Sequence, residues 1–156
     1  MAGESMGLSG QVNMVLRDSY GYIKEERDGP NTVTNAGIAE IVKLASSEAA
    51  DAFTHVALGT DDTGAAVTDT TLGAEIDSDG GERDASTVSA ETVNTADDTI
   101  QLISGWNFTG ALSITESGVF NDASAGTMLC RQTFTTLPVD DGDSLIITWK
   151  VTLDQV

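Results

Sequence analysis

Histidine and cysteine are almost missing from this chain, which has one of each, His55 and Cys130. A Ser-His-Asp or Cys-His device needs a histidine beside its nucleophile. His55 alternates with Phe53 and Ala57, so it is expected at a half-buried or interface position on a strand rather than in a catalytic pair. A histidine-rich zinc site cannot be assembled from one His and one Cys unless several chains share the metal. Cys130 has no partner for an intrachain disulfide and is expected to act as a small buried hydrophobe. Aromatic residues are scarce as well: two Trp, two Tyr and four Phe. A paired-carboxylate glycosidase, with acids about 5–9.5 Å apart in a cleft lined by aromatics, is hard to build from so few. Neither G-x-x-x-x-G-K-[ST] nor G-x-G-x-x-G occurs, and Gly59-Thr60-Asp61-Asp62-Thr63-Gly64 would set two carboxylates against a phosphate. No apolar run approaches 18 residues, so no membrane-spanning helix is expected. The first twenty residues show no signal-peptide pattern. The expectation is a protein that is not an enzyme and carries no cofactor.

Positive charge is the other shortage. Seven Lys and Arg stand against twenty-five Asp and Glu, a formal net charge of −18 with a pI near 4.1. Affinity for nucleic acid or an anionic membrane comes mainly from clustered basic residues, and here they are scattered from Arg17 to Lys150. Neither partner is expected. The small lysine count (Lys24, Lys43, Lys150) and the wealth of Asp, Thr and Ala fit adaptation to high salt. There, repulsion is screened within about 3 Å at 1 M and carboxylates keep the surface hydrated.

What is present is a pattern of short strands. The length, 156 residues, suits one domain, since a chain of roughly 150 residues buries about 68–70% of its unfolded surface. Residues 1–10 are small and polar and read as a flexible arm, leaving 11–156 as a single β-rich domain. Val12, Met14 and Leu16 alternate with polar neighbours, the period of a half-buried strand, and Arg27-Asp28-Gly29-Pro30 reads as a turn. One helix follows, near residues 35–50. Thr34 or Asn35 is its N-cap, and Ile38, Ile41, Val42 and Ala45 form a narrow stripe expected to cover a sheet face or edge. Phe53–Leu58 reads as a strand, and residues 60–82 as a long surface loop anchored by Leu72 and Ile76. Strands are then expected over Arg83–Val93, Ile100–Ile103, Trp106–Thr109, around Leu112 and Ile114, and over Met128–Phe134. In the last segment Leu145, Ile147, Trp149, Val151 and Leu153 share one face, the signature of a central core strand. The fold class is mainly β, a sandwich or distorted barrel with one short helix.

Asp77-Ser78-Asp79-Gly80-Gly81-Glu82 resembles the start of a calcium loop, with Asp77, Asp79 and Glu82 as the candidate ligands. It departs from the EF-hand pattern at Gly81 and has no flanking helices. An ordinary turn, with Asp and Gly supplying backbone geometry, is the preferred reading there and at 61–64 and 140–143.

Four stretches taken in order carry a resemblance. They are Asn31-Thr32-Val33-Thr34-Asn35-Ala36-Gly37; then Phe53-Thr54-His55-Val56-Ala57-Leu58-Gly59-Thr60, with Thr71-Leu72-Gly73-Ala74-Glu75-Ile76 after it. The third is Ile114-Thr115-Glu116-Ser117-Gly118-Val119-Phe120-Asn121, followed by Gly126-Thr127-Met128-Leu129-Cys130-Arg131. The fourth is Leu145-Ile146-Ile147-Thr148-Trp149-Lys150-Val151-Thr152-Leu153. Together they look like the "TNAG … IALGTG … L-x-x-E … ITEAGLF … LLAR … L-x-VTW-x-I" pattern of small virion structural proteins of tailed viruses. Ser117, Val119 and Cys130 stand where Ala, Leu and Ala are expected. The acidity is similar to that of haloarchaeal virus proteins. The resemblance implies a virion component, either a capsid decoration (cement) protein, commonly a trimer contacting the major capsid protein, or a tail, baseplate or fibre-attachment part. A calcium- or glycan-binding module using the 59–64 and 77–84 loops is the alternative from the residues themselves.

Overall fold

The computed structural model describes residues 3–155. The chain runs β1 (Met6–Arg17), β2 (Ile23–Pro30), β3 (Thr32–Val33), α1 (Asn35–Ala45), β4 (His55–Gly59), β5 (Asp84–Ala85), β6 (Thr87–Glu91), β7 (Thr99–Asn107), β8 (Leu112–Phe120), β9 (Met128–Val139) and β10 (Ser144–Gln155). These strands form two five-stranded antiparallel sheets, ordered β2-β1-β10-β7-β6 and β3-β9-β8-β4-β5. The fold is a β-sandwich of one domain with one short helix, as the alternation implied.

β10 lies at the centre of the first sheet, and Leu145, Ile147, Trp149 and Val151 on its inner face are fully buried. Trp149 stands opposite Val12 of β1 and Leu102 of β7. From the second sheet Val56, Leu58, Ile114, Val119, Leu129, Cys130 and Leu137 close the same core. Burial pushes the Cys130 thiol well above its ordinary pKa, which keeps it protonated.

Four local expectations are corrected. Residues 6–10, read as part of a flexible arm, belong to β1, where Met6–Gly10 pair with Val151–Gln155; residues 1–2 lie outside the described residues. Backbone pairing to the core strand outweighs the weak side-chain signal of that stretch. The cluster 27–30 is no turn but the end of β2, an edge strand whose charged side chains hide it from an apolar-period search. Residues 99–107 form one strand where two were expected. The helix stops at Ala45 instead of near Ala50, because Ser46 caps it and Ser47 turns left-handed at φ 59°.

Thr34 is the N-cap: its Oγ1 accepts the Gly37 N–H and donates to the Met128 carbonyl, which ties the helix start to β9. The helix meets the second sheet through its smallest residue. A Cβ on Gly37 would sit 2.5 Å from the Leu129 carbonyl oxygen, so only glycine allows that approach. The apolar stripe is therefore split: Ile41 packs against the core beside buried Gly37 and Glu40, while Ile38 and Val42 face outward.

The turn at 94–98 is organised by one carboxylate. Asp98 accepts the N–H groups of Val93, Asn94 and Thr95 and the Thr99 hydroxyl. The Thr95 and Val93 N–H groups, foremost, hold its carboxyl well below the usual range. A depressed folded-state pKa contributes stability above the unfolded value of about 3.9 and loses it as pH falls through the folded value. Asp98→Asn should therefore lower the urea midpoint at neutral pH, with the gap to wild type shrinking below about pH 4. A gap of the same size at neutral and acidic pH would contradict this assignment.

Candidate functional site: an arginine-clamped acidic loop

β8 carries Glu116 to an unusual place. Between Ile114 and Glu116 the register with β9 shifts by a bulge. Ile114 points into the core, whereas Glu116, two residues on, lies with Gly118 and Phe120 on the opposite face, beneath the 60–82 loop. Glu116 is completely buried. An isolated carboxylate there would be costly, since burial of an unpaired ion costs several kcal/mol or more.

Arg131 of β9 is the compensation. It is also buried, and its Nε donates to Glu116 Oε2 at 2.8 Å. Nη2 lies 2.8 Å from the same oxygen but off the hydrogen-bond line. Nη1 donates to Asp69 Oδ2 at 2.9 Å, and Asp61 Oδ2 stands 3.9 Å from Nη2. Burial opposes the charge on Arg131, yet hydrogen bonds to Asp69 and Glu116 outweigh it and raise its pKa further. The remaining lone pairs of Glu116 go to the loop backbone: Gly73 N–H at 3.0 Å, Ala74 N–H at 2.8 Å and Asp61 N–H at 3.3 Å. Two sheet residues thus hold the loop at both of its limbs.

Close packing requires glycine at two points. A Cβ at Gly59 would fall 2.3 Å from Glu116 Oε1, and one at Gly73 would fall 1.7 Å from Asp61 Oδ2. Asp61 itself accepts the Thr63 N–H, which foremost lowers its carboxyl pKa, with Arg131 adding to the effect. Leu72 packs with Ala57, Phe120 and Met128, and Ile76 joins the main core. Those are the two anchors expected from sequence. A second arginine closes the far end: Arg83 forms a two-pronged pair with Glu75 at 2.8 and 2.7 Å and donates to the Asp122 and Ala125 carbonyls. Its guanidinium carbon lies 3.7 Å from the centre of the Phe120 ring, a stacked cation geometry.

The other candidate positions are not drawn into this cluster. His55 is half-buried on β4 and shares a hydrogen bond between its Nδ1 and Thr54 Oγ1 at 2.9 Å. Asp77 is exposed; Asp79, at φ 57°, accepts the Ser78 hydroxyl; Glu82 uses its backbone carbonyl to accept Trp106 Nε1–H at 2.7 Å. Among the described residues no three His, Cys, Asp or Glu converge on a point that could hold a metal ion. An open polar depression of about 700 Å³ lies on the first sheet, walled by Gln11, Asn13, Asp28, Lys150, Thr152 and Asp154, and no aromatic side chain lines it.

The clamp is what residue-by-residue reading missed. Glu116 and Arg131 both stand in the quoted stretches, but nothing in their spacing shows that they pair, and Asp61 and Asp69 are two acids among many. No protein-family model matches the chain, and no curated protein matches it.

Removing one partner of a buried pair leaves the other uncompensated, at a cost of about 3–5 kcal/mol. Glu116→Gln and Arg131→Met should each destabilise by that order. The double variant should lose clearly less than their sum, by about 1–3 kcal/mol of coupling. Urea unfolding of the four proteins measures this; strictly additive losses would show that the two side chains do not act on each other.

Proposed function

We propose that this protein is a virion structural component, most simply a capsid decoration protein that stabilises a viral head through protein–protein contacts as a homo-oligomer. The observation that carries the proposal is where the resemblance falls. Thr34, Gly37, Gly59, Glu116 and Arg131 match letters of the pattern in three of the quoted stretches. In this fold they seat the helix and clamp the acidic loop. The likeness to tailed-virus proteins thus rests on residues with a joint architectural role, not on scattered coincidences. A rigid scaffold with fixed loops suits work through surfaces, because preorganised elements lose little entropy on docking.

The basic residues also support a partnership with protein rather than nucleic acid. Lys24, Arg27, Lys43, Arg83 and Arg131 are engaged in ion pairs with the chain's own carboxylates, which leaves no cationic cluster for phosphates.

Quantitative mass spectrometry of particles purified from a culture that makes the protein tests the proposal. A decoration protein should be present at a copy number comparable to the major capsid protein and should stay with heads when tails are removed. A low copy number confined to tail fractions would move it to the tail or baseplate. Its absence from intact particles would overturn the proposal.

A further inference from the structure

Among the described residues Lys150 is the one cation that the fold leaves uncommitted. Lys24, Arg27, Lys43, Arg83 and Arg131 form ion pairs, and Arg17 donates to the Gly21 carbonyl. The Lys150 ammonium has neither a hydrogen-bond nor an ion-pair partner there, in a chain with twenty-five carboxylates. It lies half-buried on the outer face of β10, the central strand, opposite Gln11 of β1 and Gln101 of β7. The side chains of Gln11, and of Thr148 on the same face of β10, are equally without a partner.

The polar groups around these three are closed on one another. Asn13 donates to Asp28, while Ser9 and Asn94 donate to Asp154. On the other side Thr99 and Thr152 share a hydroxyl bond, and Gln101 donates to Ser89 and Glu91. A fixed frame thus surrounds an open centre of Gln11, Thr148 and Lys150. All three line the polar depression of about 700 Å³, a volume within the roughly 300–1,000 Å³ of small-molecule sites. The turn braced by Asp98 supplies Val93 and Asn94 to its wall, and β2 supplies Asp28, Gly29 and Pro30.

The lining decides the class of ligand. Its charged groups are Lys150, Asp28 and Asp154, so a carboxylate or phosphate ligand would meet two acids for one ammonium. An apolar ligand would leave the amides and hydroxyls unpaired, which is costly. An extended peptide adds to a sheet through a free backbone edge, whereas β1 and β10 each have strands on both sides. Neutral sugar rings meet all three conditions, because a hydroxyl both donates and accepts. It can accept from Lys150 and Gln11 and donate to Thr148 and the Asp28 carboxylate. We infer that the outer face of β1 and β10 binds a neutral oligosaccharide, with Lys150, Gln11 and Thr148 as its contact residues. This goes beyond the structural role proposed above and holds whether or not the protein is part of a particle.

Amide chemical-shift titration of the isotope-labelled full chain tests this, in about 1 M KCl where long-range repulsion is screened. Maltohexaose, cellohexaose and mannohexaose are the neutral probes, and hexagalacturonate is the acidic one. At least one neutral probe should saturably shift the amides of Gln11, Thr148 and Lys150 and leave those of α1 unmoved. Lys150→Met and Thr148→Val remove groups that have no partner in the fold, so both should keep the wild-type melting curve. Each should bind that probe about fivefold more weakly or worse. Silence from all three neutral probes, shifts from hexagalacturonate alone, shifts scattered over both sheets, or unchanged affinity in either variant would each overturn the inference.

Discussion

A buried carboxylate facing a buried guanidinium is the constraint around which the second sheet is organised. Glu116 and Arg131 lie on neighbouring strands, and neither can be buried alone at acceptable cost. Their attraction does not satisfy all their hydrogen-bonding capacity, so the surplus is directed upward into the loop. Gly73, Ala74 and Asp61 donate backbone N–H groups to Glu116, while Asp69 takes the outer prong of Arg131. Residues 60–83 contain no helix and no strand, only an isolated antiparallel bridge of Glu75 to Gly59. They are nevertheless joined to the sandwich by charge-assisted bonds, roughly twice as strong as neutral ones. The glycines at 59 and 73 follow from this, since each makes room for a carboxylate.

The loop also accounts for the placement of two of the chain's seven cations, Arg131 and Arg83. In a molecule so acidic, Arg131 and Arg83 are placed where several acceptors converge, and both are buried beneath or within the loop. Most other carboxylates face water, with Glu40 and Asp143 the buried exceptions. That division leaves a predominantly acidic outer surface, in keeping with a net charge of −18.

The core was legible in the sequence, because alternation over Leu145–Val151 and Val12–Leu16 is a direct consequence of one buried face. Leu72 and Ile76 stood out among few large apolar residues in a polar stretch, and both are buried. A cap at Thr34 or Asn35 was readable because a polar side chain precedes the helical period, and the structure selects Thr34. β2 was not readable, since a solvated edge strand needs no apolar alternation. The bare side of α1 was hidden for a different reason. Helical spacing shows which residues share a stripe, while a single glycine contact with Leu129 decides which side turns inward. Glu116 and Arg131 were in view as letters of a pattern. Their pairing depends on a bulge and on contacts 42 to 62 residues away along the chain, which no local period encodes.

Native-state hydrogen exchange resolved to single amides tests the central claim, that the 60–83 loop is a rigid part of the sandwich because Glu116 and Arg131 hold it. The N–H groups of Gly73 and Ala74, bound to a fully buried carboxylate, should exchange as slowly as those of β8, although they belong to no strand. Gly64 at the loop tip should exchange fast. Rapid exchange at Gly73 and Ala74, indistinguishable from Gly64, would contradict the account.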